Sequence, residues 1–293
     1  MMKPINTAVI TKTGRQQRET ETRARGYFSY PVPDFAWQYF FLGKNFTVDT
    51  HTFKEYGFRL LVHEDGGNWG TYLNHYTHIA MLSFDSTLSE QHFKERYKQA
   101  EQADLVLIDH DDLDRYAGLG KPVYRFAYCV NDHLFKDLGE ERTIDVCFHC
   151  GKNETRRALN EALSAFCQRQ GYSYRWGGLP HIEYAAEMAH SKIVVNWPRT
   201  PMNRPHRVFD AMACGACLVT GKLPEVSGDL RIAGHDYIEV DDFAGILAAV
   251  DDLLKSGRWQ EIARNGYKLV MRHHTWDIRA KQLREIIKQE LSF

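Results

Sequence analysis

The stretch SKIVVNWPRTPMNRPHRVFDAMACGACLVTG, residues 191–221, decides the fold. An apolar run at Ile193–Asn196 reads as a strand, a polar loop follows, Pro205–Cys214 reads as a helix, and Ala216–Thr220 as the next strand. A strand, a crossover helix and a second strand form the unit of a parallel sheet. Asn203 is placed to cap the helix, and Pro205 fits its first turn, where no intrahelical donor is lost. Such an end presents free N–H groups and the positive end of the helix dipole, a natural anion site. Arg204, His206 and Arg207 add positive charge there, and Asp210 follows Arg207 by one helical turn. An arginine can hold a phosphate while a carboxylate accepts from ribose hydroxyls. Ala211 and Gly215 are small, which lets the helix lie close on the sheet. The same Arg–Asp spacing also fits an ordinary surface ion pair.

Outward from this unit, strands and helices alternate along the chain. Toward the N-terminus, Ala8–Ile10, Phe58–His63, His78–Phe84, Leu105–Ile108 and Val123–Ala127 read as strands, Ser89–Gln102 as an amphipathic helix and Asp34–Leu42 as a helix. The polar connection Asn131–Arg142 marks a domain boundary. Beyond it come a strand at Ile144–Phe148, a helix at Asn153–Gln170, a strand at Tyr172–Trp176 and a helix at His181–His190. Helices at Phe243–Ser256, Arg258–His273 and Trp276–Leu291 close the chain. The expected division is 1–130, 131–275 and a final helix, 276–293: two α/β halves with a ligand-binding cleft between them.

Composition narrows the function. A formal net charge of −1 argues against coating nucleic acid through bulk electrostatics. Lys12, Arg15, Arg18, Arg23 and Arg25 form one locally basic segment, read either as a solvated loop or as an arm that meets a phosphate-bearing ligand. No run reaches the roughly 18 apolar residues of a membrane span, and Met1–Gly14 lacks a signal-peptide pattern, so a cytoplasmic protein is expected. The cysteines include two CxxC pairs, Cys147/Cys150 and Cys214/Cys217. Neither sits in a short polar knuckle, so buried reduced thiols are expected and no metal.

RVFDAMACGACLVTG, residues 207–221, resembles the nucleotide-sugar-binding helix and strand of the CgeB-like (spore maturation protein type) glycosyltransferases, relatives of glycosyltransferase group 1. The likeness extends through Asn131–Phe135, Arg142–Gly151, Arg156–Arg157, Leu223–Glu225, Gly234–Asp241, Ile262–Tyr267 and His274–Trp276 with Arg279. It covers roughly residues 122–280 well and the N-terminal half loosely, and the order of the motifs is more specific than any one of them. The resemblance implies a GT-B fold: two Rossmann-like domains, the donor held mainly by the C-terminal one, and a last helix crossing back to the N-terminal domain. It implies catalysis without a divalent metal or other cofactor, the nucleotide-diphosphate sugar being the donor substrate. By that match Arg207 neutralises the donor diphosphate and Asp210 holds the ribose, although the related pattern usually has Glu at this position.

Sugar transfer needs the leaving nucleoside diphosphate stabilised as its bond breaks. Arg207, the helix end, and Lys152 or Arg156 are the candidates. An inverting reaction also needs a group to take the acceptor proton. Asp65, beside Glu64 after a strand, could enter the cleft, and Asp85 is its rival; both also suit turns. The relation to group 1 leans toward retention, which needs no such base. The acceptor stays open: a glycan, a small molecule, a protein side chain or a hydroxylated base in DNA. The aromatic residues Trp37, Tyr39, Phe40, Trp69, Tyr72 and Tyr76 would stack on sugars or bases, or fill a core. A non-catalytic nucleotide-sugar or nucleic-acid binder, a structural protein and a sugar-nucleotide epimerase stand as alternatives.

Overall fold

The computed structural model describes residues 5–11, 35–41, 60–64, 78–83, 89–150, 153–179, 181–199, 205–225 and 231–291. The chain divides into two compact units, one of residues 1–128 with 276–293 and one of residues 129–275.

In the first unit, β1 (Ile5–Thr11), β2 (Phe35–Phe41), β3 (Leu60–Glu64), β4 (His78–Ser83), β5 (Leu105–Ile108) and β6 (Val123–Arg125) form a parallel sheet of order β2-β1-β3-β4-β5-β6. Helix α1 (Glu90–Ala100) is capped by Ser89, whose Oγ accepts the His92 amide at 3.2 Å. The strand β5 is buried throughout, as parallel strands covered on both faces must be. A 3-10 segment at Leu113–Leu119 was not foreseen, nor was the strand nature of Phe35–Phe41. The run FAWQYFF has no period that separates helix from strand, and its aromatic residues favour an extended edge. Its register on β1, Ile5 opposite Phe35 through Thr11 opposite Phe41, makes it the edge strand. The last helix, α7 (Trp276–Glu290), belongs to this unit. Its Arg279 donates from Nε to the Ala127 carbonyl at 3.0 Å, Gln289 donates to the Tyr124 hydroxyl at 2.9 Å, and that hydroxyl donates to Glu290.

In the second unit, β7 (Ile144–His149), β8 (Tyr174–Gly177), β9 (Ser191–Asn196), β10 (Cys217–Gly221) and β11 (Ile238–Val240) make a parallel sheet of order β11-β10-β9-β7-β8. The helices are α2 (Glu154–Gln170), α3 (His181–Ala189), α4 (Arg207–Ala213), α5 (Phe243–Ser256) and α6 (Trp259–His273). Asn153 caps α2 by accepting the Arg156 amide at 2.8 Å, and Asp242 caps α5 through the Gly245 amide at 2.7 Å. Both helices end on a left-handed glycine, Gly171 and Gly257. Val146, Phe148, Ile193, Val195, Cys217 and Val219 alternate onto one sheet face and pack with Leu159 and Leu163 of α2 and Ile246 and Val250 of α5. Each such buried aliphatic side chain stabilises the unit by about 1.5–3 kcal/mol.

In both sheets the connections reverse direction at one point. The second strand of each unit lies on one side of the first, and the third on the other. That reversal falls between β1 and β3 in the first unit and between β7 and β9 in the second. It opens a crevice beyond the carboxyl ends of those strands, where ligands of open α/β sheets bind.

Candidate functional site

The second unit's crevice is flanked by His149 and Cys150, where β7 ends, and by Asn196 and Trp197, where β9 ends. Two arginines reach it. Arg156 lies in the first turn of α2 because Asn153 starts that helix just past the crevice. It is buried and donates from Nε and Nη2 to the Trp197 carbonyl at 3.1 and 2.9 Å. Arg207 opens α4 and donates from Nη1 to Asn196 Oδ1 at 2.8 Å.

The orientation of Asn196 follows from its neighbours. The Thr220 hydroxyl donates to the Gly221 carbonyl at 2.9 Å, so its oxygen accepts from Asn196 Nδ2, also at 2.9 Å. That leaves the Asn196 carbonyl oxygen facing Arg207, on a side chain that is wholly buried. A chain of bonds thus ties the guanidinium to the ends of β9 and β10. The Arg207 Nε is buried without a hydrogen-bond partner, which leaves this side chain with donor capacity unused among the described residues.

Burial and the charge of Arg207, with a smaller contribution from Arg199, hold the Arg156 pKa below its ordinary value, partly offset by the Cys150 thiol. Burial raises the Cys150 pKa, against the pull of both arginines. A cluster of cations gathered at a sheet's carboxyl edge suits a multiply charged anion. Next to it, Asn153, Arg156, Arg157 and Trp176 line an open pocket of about 250 Å³. Trp176 is 41% exposed, high for so large an apolar ring.

Asp210 is buried; burial, and after it the charge of Asp210, raises the pKa of Tyr184 and of Cys214. Arg207 acts on the same Tyr184 hydroxyl in the opposite sense.

Residues 140–285 match the family described as "Glycosyl transferase-like". This segment belongs to that family. The chain is a glycosyltransferase. Solved structures agree on the fold. One is HepE of Anabaena in complex with UDP and glucose, at TM-score 0.65 and 12% identity, covering 97% of this chain and 100% of that one. A second is the sucrose-phosphate synthase of Thermosynechococcus elongatus, at TM-score 0.64 and 13% identity, covering 97% and 98%. A third is a glycosyltransferase of Rickettsia africae, at TM-score 0.60 and 8% identity, covering 99% of each chain. No curated protein matches the sequence. The fold of this glycosyltransferase is GT-B.

The glycosyltransferase brings together Arg156, Arg207 and Asp210 of the expected site residues. Asp65, Asp85, Lys152, Arg204 and the expected cap Asn203 lie outside the described residues, as does the basic segment Lys12–Arg25. Glu64 is the last residue of β3, at the carboxyl edge of the first unit's sheet. His206 is exposed and stands before α4, which begins at Arg207 rather than at Pro205. The helix starts later because a tight turn precedes it: the Val208 amide binds the Pro205 carbonyl at 3.1 Å. His206 occupies the cap position without a side-chain cap bond.

Gly215 also differs from expectation. It sits past the end of α4 at φ +68°, where its amide and that of Ala216 close a double turn onto Met212 and Ala211. A side chain there would strike Arg142 and Asp137 rather than the sheet. All six cysteines are buried and none is bonded to another. Among the described residues no group of three or more His, Cys, Asp or Glu could hold a metal, and no helix is long and apolar enough to cross a membrane.

His149, Glu187, Trp176 and Asn196 went unread in the sequence as site residues. Two of them, His149 and Asn196, share a signal: each ends a strand that borders the reversal point.

Proposed function

We propose that this glycosyltransferase moves a sugar from a nucleotide-diphosphate sugar to an acceptor hydroxyl, with the donor held in the crevice between β7 and β9. The observation that carries the reading is the convergence of Arg156 and Arg207 on the end of β9 at that crevice, one on the Trp197 carbonyl and the other on Asn196. Leaving-group charge grows on the diphosphate as the glycosidic bond breaks, and fixed guanidiniums stabilise it without reorganisation. Arg207 is assigned the diphosphate, with Arg156 beside it and Lys152, Arg204 and His206 as further cations. Asp210 is assigned the ribose, and Trp176 with Asn153 and Arg157 the wall beside the nucleoside. UDP is the first nucleotide to try, because structural neighbours are described in complex with UDP and glucose and with UDP and GlcNAc.

Because the cations can neutralise the leaving group themselves, the reaction is proposed to run without a divalent metal. The ordered motifs of residues 122–280 support a CgeB-like member with a retaining course. Asp65 and Asp85 are held in reserve as the base that inversion would require. The test is a thermal-shift and hydrolysis panel with UDP-, GDP-, ADP- and dTDP-sugars, with and without a chelator. One donor should raise the melting temperature and be slowly hydrolysed in chelator. Loss of both effects in chelator would refute the metal-independent reading, and no response to any donor would refute the donor pocket.

A further inference from the structure

His149 ends β7 and is buried, 2% exposed, yet it is a polar ring with two nitrogens to satisfy. Nδ1 lies 3.1 Å from the Gly177 carbonyl, which only accepts, so Nδ1 carries its hydrogen. Nε2 lies 2.7 Å from Glu187 Oε2 on α3. The approach is close enough for an ion pair with a protonated ring but is not a hydrogen bond, and neither atom has a hydrogen-bond partner. Two buried polar atoms are therefore left with only each other, and removing either would strand its mate. The ring edge also packs on Tyr184 at 5.7 Å between centroids.

What this arrangement holds is the end of β8. In the sheet register His149 faces Gly177 and Phe148 faces Trp176. Gly177, the last residue of β8, stands at φ +143°, a conformation that side-chain-bearing residues rarely adopt. Two successive glycines, Gly177 and Gly178, have more backbone freedom to lose than other residues. Trp176 is at the same time the exposed ring of the pocket that Arg156 and Arg157 line. An aromatic platform discriminates among planar ligands only when its angle is fixed.

We propose that His149 and Glu187 are a positioning pair: they clamp the Gly177 carbonyl and so set Trp176 as the platform for the donor's base. The inference rests on the donor reading given above. His149 touches no reacting atom, and its effect passes through Gly177.

The test is titration of UDP into the full chain, with donor KM and kcat measured alongside. His149→Ala and Trp176→Ala should each weaken UDP roughly tenfold, the worth of one lost base stack. The double variant should be no worse than Trp176→Ala alone, because both remove the same contact. The loss should appear in KM, with kcat nearly unchanged, and His149→Gln, which keeps a donor for the Gly177 carbonyl, should recover part of it. If His149→Ala fails to fold, Glu187→Gln makes the same comparison from a side chain that is 30% exposed. Wild-type UDP affinity in the His149 or Glu187 variant, or losses that multiply in the double variant, would overturn the pair while leaving the donor site standing. Failure of the unaltered chain to bind any nucleotide would overturn both.

Discussion

At the residue scale, a buried asparagine does the work that orients the principal cation. Asn196 can point its carbonyl oxygen at Arg207 only because Thr220 takes the amide end. Replacing Asn196 with Ala should leave Arg207 unaimed and Thr220 short of a donor. A stability loss of about 1–3 kcal/mol is expected from the unsatisfied group, with a larger fall in turnover; urea melts and donor hydrolysis measure the two separately. The thiols give a second prediction. Burial pushes the Cys147 and Cys217 pKa up to about 12 and that of Cys167 to about 11. In the unfolded chain these groups ionise near 9, so above that pH the unfolded state binds fewer protons than the folded one. Their contribution is thus complete below pH 9 and is lost as the pH rises toward the folded values. Urea midpoints should fall steadily across that alkaline range, and a thiol reagent at pH 8 should label the folded chain far more slowly than the unfolded one. Rapid labelling of all the cysteines in the folded chain would contradict their burial.

At the scale of elements, most of the alternation was legible and its ends were not. The strands β5 and β7 and the helices α2, α5 and α6 announce themselves through their apolar runs and the polar intervals between them. Phe35–Phe41 was not legible, because a short aromatic run carries no period, and its pairing with β1 is a tertiary fact. The three-residue strand β11 is held by its neighbour β10 rather than by its own propensity. The site was half legible. Arg207 and Asp210 stand on a readable helix, whereas His149 and Trp176 are placed by a strand register that no local pattern encodes. Gly215 shows how a correct residue can be read for the wrong reason. Its smallness serves not the sheet but Arg142, whose guanidinium binds the Ala189, Ser191 and Cys214 carbonyls at 2.8–3.0 Å. An added methyl at Gly215 would lie 2.6 Å from Arg142 Nη2 and would need a left-handed backbone. Gly215→Ala should therefore cost about 1–3 kcal/mol, read as a lowered urea midpoint. An unchanged midpoint would show that the Arg142 junction gives way freely.

At the scale of the whole molecule, each unit is a parallel sheet with a reversal point, and the proposed donor site lies at the second unit's crevice. A near-neutral chain keeps its cations local: Arg156 and Arg207 face one crevice while the formal charge of the whole is −1. This is what a protein needs to bind a compact anion without binding every polyanion. The account stands on Arg207 holding the donor's diphosphate. Calorimetric titration of UDP into the unaltered chain and into Arg207→Ala, both in chelator and both with their melting temperatures recorded, tests it most directly. The account predicts measurable binding by the unaltered chain and a loss of tenfold or more in Arg207→Ala, roughly the worth of one charge-assisted contact, with the unfolding transition still cooperative and its midpoint lowered by no more than the stranded carbonyl oxygen of the buried Asn196 accounts for. Equal affinity in the two proteins would contradict it.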